Sequence, residues 1–257
     1  MSWILERMGS LALLQLTNAE QRNTLTPERA LAIAEQVQSL STDPEVKVLA
    51  VTGQAKAFCA GADLPSLLAA SQGDGRALHD IYQAFVSIGQ SPLLTVALVN
   101  GAAVGAGFNL ALCCDLRYAN NDAWFESRFR DLALHQGGGH GWMLPKTVGW
   151  QQACSLLFAG ERLDAQQAVA CGLVQAVLPA DQLLAKAQQI AAELSHVPTA
   201  LLRQMKASMQ QLLDCQHLSD AVAFEFRHQL HSLQQPVAQQ AIAGLWQQLQ
   251  QKNTEQR

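Results

Sequence analysis

Two short apolar runs, residues 2–7 and 11–16, flank Met8, Gly9 and Ser10, a pattern that predicts a hairpin with glycine in the turn. A polar loop follows, and Thr26-Pro27-Glu28 supplies a capping hydroxyl, a first-turn proline and an acid for the start of a helix running to about Leu40. Residues 46–52 and 92–100 are short apolar runs rich in β-branched residues and predict buried strands; each leads into a glycine- and alanine-rich turn and then a helical stretch. Further strands are expected at 116–119 and 173–177, with Asp164 opening a helix that Gly172 closes. Beyond residue 181 the period becomes helical. Leu201, Leu202, Met205, Met209, Leu212 and Leu213 share one face, Arg203, Gln204, Lys206 and Gln210 the other, and Pro198 and Pro236 punctuate about three helices. The pattern predicts an α/β core over residues 1–195 and a helical region over 196–257, with no internal repeat.

The two small-residue loops carry the chemistry. KAFCAGADL (56–64) follows one strand and VNGAAVGAGFNLALCCDLRYA (99–119) follows the other. Loops this poor in side chains let a ligand approach the backbone. A phosphate-binding loop does not fit, because the second segment lacks the GK[ST] ending and the GxGxxG spacing. Two readings remain open on the residues alone: backbone N–H donors from the two loops converging on one oxygen, or tight strand-to-helix packing.

This pair of segments, about 40 residues apart, resembles the enoyl-CoA hydratase/isomerase (crotonase) superfamily. The likeness extends from the opening hairpin through RNTL (22–25) to HQGGGHGWMLPKTVG (135–149) and AVACGLV (168–174), and so covers most of the chain. It implies a crotonase-like ββα spiral core with a C-terminal helical region, assembly as a homotrimer or dimer of trimers, and an acyl-CoA thioester as substrate with no separate cofactor. By position it implies an oxyanion hole made by the backbone N–H of Ala62 and of Ala106. Gly105, Asp63 and Leu64 would line the substrate, and the Ala60 carbonyl would accept from the adenine amino group. Lys56 and Arg22 lie near loops that would face the CoA phosphates, with solvated surface charge as the plainer reading of each. Such a hole stabilises the enolate oxygen formed when a thioester gains or loses a proton at Cα; each donor is worth roughly 3–4 kcal/mol.

The acid/base positions depart from the pattern. Hydration needs a base for water and an acid for Cα, roles that hydratases give to two glutamates. Their places fall on Asn109 and Phe129, and the positions where other branches carry an aspartate are Gln136 and Gly137. Asn109 could orient a water or a carboxylate, or simply support its helix; Phe129 would narrow and dry the acyl pocket. His140, after three glycines, and His135 are candidate replacements, each weighed against a structural role. Asp131 and Glu126 are candidates too, although ESRFRD also reads as an ion-pair cluster. Cys59 and Ser66 adjoin the first loop, where nothing activates a thiol, and Cys59 reads as packing. His228 and His231, with Glu225 a turn earlier, could face a metal but more simply an interface; no metal is expected. Three reactions compete: hydration or isomerisation with a displaced acid/base, decarboxylation or C–C cleavage, and acyl-CoA binding without turnover.

Composition narrows the partners. The 257 residues are 49% hydrophobic and 15% charged, enough to bury a core, and the net charge of −4 without a basic run argues against nucleic acid or an anionic membrane. Six cysteines without CxxC spacing fit reduced thiols, and Glu6 and Arg7 interrupt any secretory leader. The expectation is a cytoplasmic protein.

Overall fold

In the computed structural model, which describes residues 3–255 and side chains through Gln251, Gly9 takes φ +61° and folds β1 (Trp3–Met8) antiparallel onto β2 (Leu11–Leu16), with Trp3 opposite Leu16. Ser2, expected in the first strand, lies outside the described residues. Thr26 Oγ1 accepts from Arg29 N at 3.3 Å and starts α1 (Pro27–Thr42), whose buried face is Ala30, Ile33, Val37 and Leu40. The chain then runs through β3 (Val48–Gly53), β4 (Ala57–Cys59), α2 (Leu64–Ser71), α3 (Arg76–Gly89), β5 (Leu94–Val99), β6 (Ala102–Val104) and α4 (Ala106–Leu112). It continues with β7 (Leu116–Ala119), β8 (Trp124–Glu126), α5 (His140–Cys154), β9 (Leu163–Asp164), α6 (Ala165–Ala170), β10 (Ala176–Val177) and α7 (Gln182–Glu193). Three further helices follow, α8 (Thr199–Leu212), α9 (Leu218–Leu233) and α10 (Pro236–Glu255).

The larger sheet has the order β1-β2-β3-β5-β7-β10 and is parallel after the opening hairpin; the smaller has the order β4-β6-β8-β9. From β3 to β8 consecutive strands alternate between them. β3 then β4, β5 then β6, and β7 then β8 each place one strand in the larger sheet and the next in the smaller before a helix returns. This is the ββα spiral expected of the crotonase fold.

Alternate residues of the central strands serve opposite faces of the larger sheet. Leu11, Leu13, Val48, Ala50, Val96 and Leu98 pack on Leu183, Ala187, Ile190 and Ala191 of α7. Their neighbours Leu14, Leu49, Val51, Ala97 and Val99 join the main core with α1, α3 and α4. A sheet covered on both sides needs unbroken apolar strands, hence the continuous runs in the sequence.

The structure departs from the expected boundaries in several places. Only residues 176–177 of the segment expected over 173–177 pair as a strand, and the two small-residue loops contain the three-residue strands β4 and β6. The described chain separates into two compact units after Thr199 rather than 195. Lys47 supplies a reason, because its Nζ donates to the carbonyls of Leu194, Ser195 and Val197 at 3.0, 2.6 and 2.7 Å, and Thr199 Oγ1 donates to Pro44 O. Those bonds tie residues 194–199 to the first unit. In the second unit α8 and α9 bury no residue, and Met209, Leu213, Leu218 and Phe226 stay largely exposed. Among the described residues no helix is long and apolar enough to cross a membrane.

Candidate active site

Residues 22–25 form a rail for the first loop. Ala60 N donates to Arg22 O at 3.0 Å, Leu25 N to Gly61 O at 2.8 Å, and Asp63 N to Leu25 O at 3.0 Å. Arg22 and Asn23 take φ of 52° and 58°, and the buried Asn23 amide donates to Gln54 O and Ala57 O, which pins the rail to the β3–β4 turn. In this parallel bridge Leu25 bonds to the residues on either side of Ala62, so the N–H of Ala62 points away from Leu25.

The second loop closes against the first. Gly105, at φ +53° and ψ −115°, turns the chain from β6 into α4 through a region that favours glycine. Gly107 packs so tightly that a methyl group on it would stand 1.9 Å from Cys59 O, and one on Gly61 would stand 3.6 Å from Ala106 N. Ala62 and Ala106 are thus on touching segments. Among the described residues neither N–H donates to a protein carbonyl.

One turn beyond Ala106, Asn109 is buried and joins a polar chain. Its Nδ2 donates to Gly137 O at 2.9 Å, which leaves Oδ1 to accept from His140 Nδ1 at 2.8 Å. With its proton assigned to Nδ1 by this network, His140 accepts at Nε2 from the Ser127 hydroxyl at 2.9 Å. The imidazole is fully buried, with the Phe108 and Phe129 rings at 5.3 and 5.1 Å. Burial lowers its pKa from 6.5 to about 4, so the ring is neutral at pH 7. Ser127 is buried too, and pairing of Val104 with Glu126 together with the Gly105 N to Glu126 O bond places it beside Gly105.

Hydrogen bonds and ion pairs within the chain engage each of the acid/base candidates. Both ring nitrogens of His140 are hydrogen-bonded inside the core, Nδ1 to Asn109 and Nε2 to Ser127, so any proton it exchanges passes by way of Ser127's position. Asp131 is about half exposed and pairs with Arg130 at 3.0 Å, while Glu126 pairs with Arg128 at 2.7 Å, so the carboxylates of ESRFRD are held by the arginines. His135 is exposed and bonds Gln136 O through Nδ1. Asn109 has both amide atoms committed, which favours the supporting role over a water-orienting one.

Around the first loop, burial pushes the Cys59 thiol up to about 12, so it packs rather than attacks. Ser66 is buried within α2, Asp63 is the N-cap residue of that helix, and Leu64 is 76% exposed on its first turn. Lys56 and Arg22 are exposed, and Ala60 is part-buried. His228, His231 and Glu225 belong to the second unit, and among the described residues no three or more His, Cys, Asp or Glu are arranged to hold a metal.

Sequence reasoning missed two residues near the glycine turn. Period-two alternation through β8 buries Phe125 and Ser127 and leaves Trp124 and Glu126 part-exposed, a signal that could have found Ser127. Tyr82 on α3 is half-buried, with its hydroxyl so close to Gly137 that a methyl group there would stand 2.3 Å away. No short-range motif marks it.

Two loops locked together under a ββα spiral define a crotonase-type protein, and comparison with known proteins places it. The model of the enoyl-CoA hydratase/isomerase family matches residues 6–253, and the chain belongs to that family of acyl-CoA-processing enzymes. It is 40% identical over 233 residues to the probable enoyl-CoA hydratase EchA14 of Mycobacterium tuberculosis, covering 88% of this chain and 90% of that one. Among solved structures it is similar to an enoyl-CoA hydratase from Polaromonas, with a TM-score of 0.87, 30% identity and coverage of 96% and 97%. A putative enoyl-CoA hydratase from Thermobifida fusca, solved with acetoacetyl-CoA, aligns with a TM-score of 0.81 at 25% identity over 90% of this chain and 94% of that one.

Proposed function

We propose that the protein binds an acyl-CoA thioester and holds the carbonyl oxygen between the N–H groups of Ala62 and Ala106, stabilising charge that develops on it. The observation that carries this reading is the meeting of the two loops, with the backbone of Gly61 against Ala106 and neither donor spent on a protein carbonyl among the described residues. Two such donors, fixed before substrate arrives, need no reorganisation during reaction. In this reading the Ala60 carbonyl receives the adenine amino group, the exposed Lys56 and Arg22 meet the phosphates, and Gly105, Asp63, Leu64 and Phe129 shape the acyl site.

Hydration by paired glutamates has no support at Asn109 or Phe129, and the loss of each acid/base group costs ~10²–10⁴-fold. A second reading, decarboxylation or C–C cleavage, is favoured by the Phe129 ring packed on a neutral His140, because bond cleavage that leaves an enolate needs no water activated there. Exposed Trp142, Trp150 and Phe158 in the first unit and the open faces of α8 and α9 support self-assembly as a trimer or dimer of trimers. Light scattering tests the assembly.

Calorimetric titration with CoA and crotonyl-CoA, beside turnover assays with crotonyl-CoA, a 3-enoyl-CoA and methylmalonyl-CoA, tests the chemistry. Thioester binding with slow crotonyl-CoA hydration is expected. Failure to bind any CoA thioester overturns the reading, and turnover of the malonyl thioester alone selects decarboxylation.

A further inference from the structure

Resting on the docking of a thioester carbonyl between Ala62 and Ala106, we propose that Ser127, His140 and Asn109 form a nucleophilic triad through which the protein hydrolyses acyl-CoA by way of an acyl-Ser127 ester. Three hydrogen bonds already run in the sense this requires. The Ser127 hydroxyl donates to His140 Nε2, His140 Nδ1–H donates to Asn109 Oδ1, and Asn109 Nδ2 is anchored on Gly137 O. A serine becomes a nucleophile when a neutral imidazole can take its proton and a third group fixes the tautomer. Asn109 fixes it without adding charge, and so acts as a positioning residue.

Position supports the same role. Strand pairing sets Ser127 beside Gly105, one residue before the Ala106 donor, so nucleophile and oxyanion donors are carried on adjoining strand ends. The aromatic rings of Phe108 and Phe129 flank the imidazole at 5.3 and 5.1 Å and hold its plane.

The step balances without an added oxidant or reductant. Ser127 Oγ bonds to the thioester carbonyl carbon as its proton passes to His140 Nε2, and the carbonyl oxygen takes the electron pair facing Ala62 and Ala106. Collapse breaks the C–S bond, and CoA leaves as thiol with the proton from His140. Water then attacks the ester carbon, giving a proton to His140 that returns to Ser127 Oγ, and a carboxylic acid is released.

The test incubates the full-length protein with butyryl-CoA and crotonyl-CoA. Free CoA is measured chromatographically, because the six cysteines would consume a thiol reagent. Acid-quenched protein is then mapped by mass spectrometry. Expected are CoA release and an acyl group on the peptide holding Ser127, with both reduced about 10²-fold or more in Ser127→Ala and in His140→Gln. Calorimetric thioester binding and the thermal melt of the variants establish that each is folded and loaded. His140 is faced by Asn109 from α4, Ser127 after β8 and the Phe108 and Phe129 rings, none charged. Asn109→Asp is therefore expected to raise the acidic limb of the rate–pH profile, a change that a merely structural amide would not produce.

Thioester binding without CoA release or adduct overturns the triad and leaves the docking reading standing, and absence of thioester binding overturns both. Hydrolysis unchanged in Ser127→Ala, or an adduct confined to cysteine, also overturns the triad.

Discussion

His140 Nδ1 lies 2.8 Å from Asn109 Oδ1, and this bond joins the first turn of α5 to the helix that begins at Ala106. Asn109→Ala strands a buried N–H on the imidazole and removes the donor from Gly137 O. Each orphaned group costs about 1–3 kcal/mol. Denaturant unfolding of the variant should show a loss of about 2–6 kcal/mol for the two groups together, with an unchanged slope against denaturant.

The depressed pKa of His140 makes stability depend on pH. Unfolded, the ring takes a proton near 6.5; folded, it resists until about 4. Its contribution is therefore fully present above 6.5 and declines as pH falls from 6.5 towards 4, by about 3 kcal/mol in all. Carboxylates also titrate toward the acidic end of this window, so the readout is the difference between wild type and His140→Gln, which should flatten the curve between pH 6.5 and 5.

Gly107→Ala should separate the two loops. The added methyl would stand 1.9 Å from Cys59 O, a backbone atom that cannot swing aside. A cost of about 1–3 kcal/mol or more is expected from such overpacking. Acyl-CoA affinity should fall as well, even though no side chain that contacts substrate in the proposed complex has changed. Calorimetry on the folded fraction checks this.

Lys47→Met tests the tether of residues 194–199. The ammonium satisfies three carbonyls with charged hydrogen bonds, and losing one such group costs about 1.5–3 kcal/mol. Amide hydrogen exchange should accelerate over residues 194–199 while remaining slow in β2 and β3.

Local signals in the sequence carried much of this architecture. Gly9 marks a turn, Thr26 and Pro27 a helix start, and Asp164 another, each through a few adjacent residues. The paired loops were legible because 56–64 and 99–119 hold so few side chains. Strands β4 and β6 were not, because three-residue stretches, Ala-Phe-Cys and Ala-Ala-Val, are too short to show a period. The Ser127–His140 bond spans 13 residues and depends on the turn through Gly137, Gly138 and Gly139, so it has no local mark. Asp131 attracted attention as an unplaced acid, whereas Arg130 beside it holds the carboxylate near solvent. The end of the first unit moved to Thr199 because Lys47, some 150 residues earlier, grips the carbonyls that follow α7.

The carbonyl socket proposed between Ala62 and Ala106 is assembled from peptide groups, and the steric demands that create it fall on glycines standing beside the donors. Random substitution elsewhere along the pocket wall can therefore exchange one reactive group for another while the grip on oxygen persists. A lineage built this way can wander between reactions without passing through a folded form that has lost its hold on substrate, and its members will differ most in the side chains by which enzymes are usually sorted.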